Sequence, residues 1–271
     1  MSEIYVVKIG GTSGVDVQLI CEELVTFINQ GQQIIIVHGG SNDANQLGDL
    51  LNTPAQFITS PSGFTSRYTD KKTLEIFAMA VNGKVNVQIV SSLQKLGVNA
   101  VGLSGMDGRL IEADRKKSIQ SIVNGKRKII RDDYSGKITK INPEMLMWLL
   151  SNGMVPVIAP LAISEEGDPL NVDADRVAAE LAVAVHAKYL FLFTAVKGLM
   201  KKFPDENTWI PSLKTNEVEM GISYAEGRMK KKVLGAKEAL DGGVGMVFIG
   251  DGRITNPIQN ALDGNVTRIG G

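Results

Sequence analysis

Ile34-Ile35-Ile36-Val37-His38-Gly39-Gly40-Ser41-Asn42 is the stretch that decides the fold. Four consecutive β-branched residues read as a short strand, and their unbroken apolarity suits a strand covered on both faces by helices. The paired glycines end it, and Ser41 or Asn42 is available to cap the helix that follows. Upstream, Ile4-Tyr5-Val6-Val7-Lys8-Ile9-Gly10-Gly11 repeats the strand-into-glycines pattern. A helix-period segment, 15–30, separates the two, which gives a βαβα opening.

The same alternation recurs further along, with strands expected at 100–103, 155–159, 189–193 and 245–249 and helices at 143–152 and 174–187. It predicts an α/β fold, a three-layer αβα sandwich around a mostly parallel central sheet. The segment 110–139 reads differently. Asn124-Gly125, flanked by Ile122, Val123, Ile129 and Ile130, is the signature of a type I′ β-hairpin, expected to project from the main sheet. With no repeat and no linker, a lobe boundary is placed near Asp175, giving lobes 1–175 and 176–271.

Composition sets the bounds. A chain of 271 residues that is 44% hydrophobic can bury an extensive core. Lys plus Arg and Asp plus Glu both number 29, so net charge gives no reason to expect nucleic acid or a membrane surface as partner. The single cysteine, Cys21, cannot form an internal disulfide and fits a reducing compartment, so the cytoplasm is expected. The N-terminal run lacks the charged start and apolar core of a signal peptide. The most apolar stretch, 181–196, is interrupted by His186 and Lys188 and falls short of a membrane span.

Four motifs carry chemistry. Glycines after a strand leave backbone amides open to an anion, and Lys8 adds a positive charge beside Gly10 and Gly11. The plain alternative is a strand-end turn with a surface lysine. Gly39 and Gly40 open a helix and form a second anion site on the edge where parallel α/β sheets bind ligands. His38, closing a buried strand, reads as a hydrogen-bonded structural group rather than a base. Asn171-Val172-Asp173-Ala174-Asp175 opens a helix and holds more acidic and amide groups than capping alone needs. Gly227-Arg228-Met229-Lys230-Lys231-Lys232-Val233 is either a solvated basic helix start or an anion site.

Taken in order with Ser66-Arg67-Tyr68-Thr69-Asp70, these motifs resemble the amino-acid kinase family, specifically its N-acetylglutamate kinase branch, along the whole chain. The resemblance implies that Lys8 and Lys232 stabilise the phosphoryl group in flight and that Asp175 holds both lysines. It further implies that Gly10, Gly11 and Gly40 bind phosphate, with Gly39 allowing close approach. Gly39, Gly40, Arg67 and Asn171 would bind the amino-acid substrate, arginine through its bidentate fork. ATP is expected between the turn 194–199 and the segment 227–229, with Thr194, Ala195, Gly198, Gly227 and Met229 contributing. Ala195 departs from the aspartate usual there. Mg2+ is expected on the phosphates.

Within the branch, Leu103-Ser104-Gly105-Met106-Asp107-Gly108-Arg109, the residues around Arg67 and Lys232, and Gly250-Asp251-Gly252-Arg253 look closest to carrier-dependent relatives of lysine biosynthesis. Those act on aminoadipate or glutamate attached to LysW, a small acidic carrier protein. The resemblance therefore implies a basic docking surface, with candidates at Lys71 and Lys72, at Arg115 to Lys117, and at Lys126, Arg127, Lys128 and Arg131 on the hairpin. It also implies a homodimer. Free N-acetylglutamate as substrate, or a non-catalytic binding protein on the same fold, are the alternatives. A nicotinamide-dependent oxidoreductase is set aside because Gly10-Gly11-Thr12-Ser13-Gly14 lacks the dinucleotide spacing.

Overall fold

A computed structural model describes residues 3–11, 15–61, 63, 65–123 and 126–271. The expected Asn124-Gly125 turn, residues 12–14 of the first glycine turn, and the side chains of Lys126 and Arg127 lie outside the described residues. The chain begins with β1 (Ile4–Ile9), α1 (Val17–Asn29), β2 (Gln33–His38) and α2 (Ser41–Leu50). The short strands β3 (Phe57–Thr59) and β4 (Thr65–Arg67) follow, then α3 (Lys71–Ala78), a π-helical segment Met79–Asn86, α4 (Val87–Lys95) and β5 (Ala100–Ser104). Next come β6 (Ile111–Arg115), β7 (Ile119–Val123), β8 (Lys126–Ile130), β9 (Gly136–Ile141) and α5 (Pro143–Ser151). They lead to β10 (Val155–Ala159), β11 (Leu161–Ile163), β12 (Pro169–Asn171), α6 (Ala174–Ala184) and β13 (Tyr189–Thr194). The last elements are β14 (Ser212–Leu213), α7 (Val218–Tyr224), α8 (Gly227–Asp241), β15 (Met246–Asp251), α9 (Pro257–Leu262) and β16 (Thr267–Ile269).

The main sheet runs β14-β16-β15-β13-β1-β2-β10-β5. From β15 to β5 every pairing is parallel, and β16 joins β15 antiparallel, so the expected mostly parallel sheet is present with a reversed edge. Successive side chains on a strand point to opposite faces. On β1, Ile4 and Val6 pack with Val177, Leu181 and Val233 of α6 and α8. Tyr5, Val7 and Ile9 pack with Ile20, Leu24 and Ile89 of α1 and α4. Helices thus cover both faces, which is the three-layer sandwich read from the unbroken apolar strands.

The segment 110–139 holds more than one hairpin. β7 and β8 form an antiparallel pair that, among the described residues, bonds to no other strand, as expected of a projecting hairpin. The flanking β6 and β9 pair with each other and, through β11, with β12 in a second sheet of four strands. This sheet escaped the sequence reading because β11 and β12 are three residues each, and pairing between distant strands leaves no local signal. The helix expected over 174–187 stops at Ala184, and His186 takes a positive φ of 51° in the turn that follows. Among the described residues no helix is long and apolar enough to cross a membrane.

The aromatic residues of the central strands anchor this arrangement. Phe191 is 0% exposed and stacks on Phe248 with ring centroids 4.9 Å apart. Phe191→Ala should therefore lose about 3–5 kcal/mol, read as a lower urea midpoint at unchanged slope. Trp148→Ala, on an exposed face of α5, should stay within about 0.5 kcal/mol of the parent.

Candidate active site

The parallel register of β1 and β2 pairs Ile9 with His38, so the two glycine turns leave the sheet side by side. Their backbones touch. A Cβ on Gly11 would stand 2.3 Å from Gly40 N, and one on Gly39 would stand 2.7 Å from Gly11 N. Glycine is required at both positions because any side chain would force these turns apart.

Lys8 precedes this edge and follows Val6 onto the α6 face of the sheet. On that face α6 begins, and Asp173 caps it by accepting hydrogen bonds from the amides of Asp175 and Arg176 at 3.0 and 3.2 Å. Capping fixes the first turn and aims Asp175 at the sheet. Lys232 arrives from α8, which packs on α6. The Asp175 carboxylate lies 2.8 Å from both Lys8 Nζ and Lys232 Nζ. All three side chains are buried. Burial alone would raise the Asp175 carboxyl, but the two ammonium groups outweigh it and hold it well below the usual carboxylate range. Burial pushes Lys232 down to about 8; the Lys8 charge adds to this and the Asp175 carboxylate opposes it.

These groups line a cavity of about 280 Å³ together with Gly10, Gly11, Gly39, Gly40, Arg67 and Asn171. Every residue expected to act in catalysis, phosphate binding or amino-acid binding is therefore brought to one place. Arg67 ends β4 and is held by Nη2, which donates to Ser41 O at 3.1 Å and Asn45 Oδ1 at 2.6 Å. Its guanidinium lies 5.3 Å from the centre of the Phe57 ring. Burial, then the nearby Arg228 charge, lowers the Arg67 pKa from its ordinary value. Two guanidiniums converging in a cavity favour an anion between them. Asn171 Nδ2 donates to Thr69 Oγ1 at 3.0 Å.

Of the residues expected at the nucleotide, Thr194 lines this cavity, whereas Ala195, Gly198, Gly227 and Met229 are not among its lining residues. A Cβ on Gly198 would stand 2.3 Å from Thr267 Oγ1, so that glycine packs against β16. Gly227 opens α8 with a φ of +50° and free space where a side chain would stand, and no side chain caps that helix.

The sequence reading missed several members of the site. Lys116 stood only among the candidate docking residues, yet it lines the cavity, as do Arg228 and Lys231 from the basic motif. Asp133, outside the cavity lining, carries no sequence signal either. Fully buried, it accepts from the amides of Thr69 at 2.9 Å and Ser135 at 2.7 Å, tying the segment after Arg67 to the root of the hairpin. No motif marks it, because its partner lies 64 residues away. His38 meets its expectation as a hydrogen-bonded structural group: it is buried, and burial pushes its pKa down to about 4.

Residues 3–251 match the model of a family described as Amino acid kinase family. The chain is 48% identical over 262 residues to the LysW-aminoadipate kinase of Deinococcus radiodurans, covering 97% of this chain and 90% of that protein. It is 41% identical to the LysW-aminoadipate kinase of Thermus thermophilus, covering 97% and 98% of the two chains. With the acetylglutamate kinase of Syntrophomonas wolfei it shares 38% identity over 93% of its own length and 85% of the relative's. Among solved structures, smu.665 of Streptococcus mutans superposes with a TM-score of 0.77 at 26% identity, covering 100% of this chain and 99% of that one. With a family match over most of its length and relatives this similar across nearly all of it, the chain belongs to the amino acid kinase family.

Proposed function

We propose that this protein is an ATP-dependent kinase that phosphorylates the side-chain carboxylate of 2-aminoadipate, or of glutamate, held by its amino group on a small acidic carrier protein. The observation that carries the chemistry is the buried Lys8–Asp175–Lys232 cluster beside paired glycine amides. Two ammonium groups and one carboxylate leave one positive charge in excess, suited to charge that grows during phosphoryl transfer. The relatives named for LysW-bound aminoadipate, at 48% and 41% identity, support the substrate.

In this mechanism a substrate carboxylate oxygen attacks the terminal phosphorus of ATP. The new O–P bond forms as the bond to the bridging oxygen breaks, and ADP leaves. A carboxylate with a reference pKa of about 4 is already ionised at neutral pH, so no base is needed. Lys8 and Lys232 meet the developing charge, Asp175 holds both in place, and the amides of Gly11 and Gly40 bind the transferring group, with Gly10 and Gly39 permitting the approach. Arg67 and Asn171 hold the main-chain end of the amino acid.

We assign the amino-acid side to residues 1–175 and the nucleotide to residues 176–271, at Thr194, Ala195, Gly198, Gly227 and Met229. The uncapped start of α8, with Arg228 and Lys231 beside it, fits phosphate. Mg2+, held by those phosphates, would neutralise their charge; among the described residues no three His, Cys, Asp or Glu side chains cluster to hold a metal themselves. For the carrier, β7 packs beside β3, whose Phe57 lines the cavity, so the hairpin stands next to the substrate strand. Lys116 brings a positive charge to the same mouth. The enzyme works as a cytoplasmic homodimer on this reading.

Three measurements test it. ATP consumption should be fastest with carrier-bound aminoadipate, slower with carrier-bound glutamate and near background with bare carrier; faster turnover of free N-acetylglutamate would make it an acetylglutamate kinase, the reading favoured by the Syntrophomonas wolfei relative. Lys8→Ala and Lys232→Ala should each lower kcat by about 10²–10³ with the far-UV spectrum unchanged. Because Lys232 acts as a cation and its pKa is depressed to about 8, kcat/KM should fall as pH rises through that value. The limb in kcat should lie at higher pH, since bound phosphate charge favours the protonated lysine.

A further inference from the structure

His38 follows Ile34 and Ile36 onto the α4 face of the sheet, opposite the lysines. Both ring nitrogens have partners: Nδ1 lies 2.7 Å from Gly39 O and Nε2 lies 3.1 Å from Asn86 Nδ2. The same Asn86 nitrogen donates to Val157 O at 2.9 Å. A carbonyl can only accept, so Val157 O, with Leu103 O at 3.5 Å, fixes the asparagine amide with its nitrogen inward, and of the two acceptors left for the second N–H the ring nitrogen at 3.1 Å is the nearer. Nε2 therefore accepts. The ring is neutral, and its proton sits on Nδ1, which donates to the Gly39 carbonyl.

That carbonyl belongs to the peptide that carries the Gly40 amide. Among the described residues Phe203–Pro204 is the cis peptide, so this one is trans and its C=O and N–H point in opposite directions. Holding the oxygen on the α4 face turns the Gly40 N–H away from it, toward the side of the sheet that carries Lys8. Two glycines in a row have wide torsional freedom and cannot hold this plane by themselves. Gly11 packs against the peptide, and His38 grips its oxygen.

We infer that His38 and Asn86 are positioning residues for phosphoryl transfer: a hydrogen-bond relay from Val157 through Asn86 and His38 to Gly39 sets the direction of the Gly40 amide. The inference rests on the kinase reading above, in which that amide binds the transferring group. Asn86 closes the π-helical segment, a helix type that concentrates where function requires a side chain to be aimed.

His38→Phe fills the same space and removes the donor. It should lower kcat about 10- to 100-fold, since misplacing a catalytic contact by an ångström is worth about that much, with little change in either KM. His38→Asn, whose side-chain N–H can replace Nδ1–H, should recover most of the loss. Undiminished kcat in His38→Phe, or His38→Asn no faster than His38→Phe, overturns the inference. The chain has two histidines, so imidazole ¹⁵N shifts of the parent and of His186→Gln at pH 7 read the buried ring directly. The Nδ1–H tautomer is expected; Nε2–H overturns the relay whether or not the variants fold. Lys8→Ala measured alongside separates the two failures. If it keeps full turnover, the kinase reading falls; if it loses turnover while His38→Phe does not, this inference alone falls.

Discussion

One carboxylate shared by two buried ammonium groups is the constraint on which the rest of the molecule depends. Lys8 and Lys232 are 6% and 5% exposed, and two like charges so placed would repel each other strongly without Asp175 between them. Removing one partner of such a cluster leaves an uncompensated charge, typically at a cost of about 3–5 kcal/mol. The fold answers by bringing three separate elements to one point. β1 lies in the middle of the sheet, α6 crosses it with a capped first turn, and α8 packs on α6. The excess positive charge that remains makes the cavity suited to an anion.

The two faces of the sheet divide the work at its glycine edge. The α6 face carries charge, in Lys8 and Asp175, while the α4 face carries neutral groups, His38 and Asn86. Keeping the histidine neutral matters because a third cation this close would add to the repulsion already present; the Lys8 charge is among the influences that lower its pKa, after burial.

How much of this was legible in the sequence follows from the range of each interaction. β1 and β2 were readable because unbroken β-branched runs and the glycines after them are local signals, and the parity of β1 alone puts Lys8 on the face of Val6. The membership of Arg67, Asn171 and Lys232 came through the resemblance of ordered motifs, and the geometry brings them together. What stayed hidden was set by distant partners. Asp133 acquires its meaning from Thr69 across 64 residues, and Asn86 from His38 across 48. The second sheet depends on strands of three residues whose pattern is indistinguishable from loop. Nothing in the structure explains Ala195, the residue at which the sequence departs from the pattern it resembles.

Among the described residues the hairpin β7–β8 bonds to no strand outside itself, while β6 and β9 close the neck beneath it. Changing the length of a segment whose ends are already clamped costs little, roughly 0.6 kcal/mol per doubling of a flexible loop. Insertions and deletions there leave the register of the central strands untouched. The lineage that produced this chain could accordingly lengthen, shorten or replace this arm while inheriting the central sheet unaltered, so that the two parts of the molecule diverge on separate evolutionary clocks.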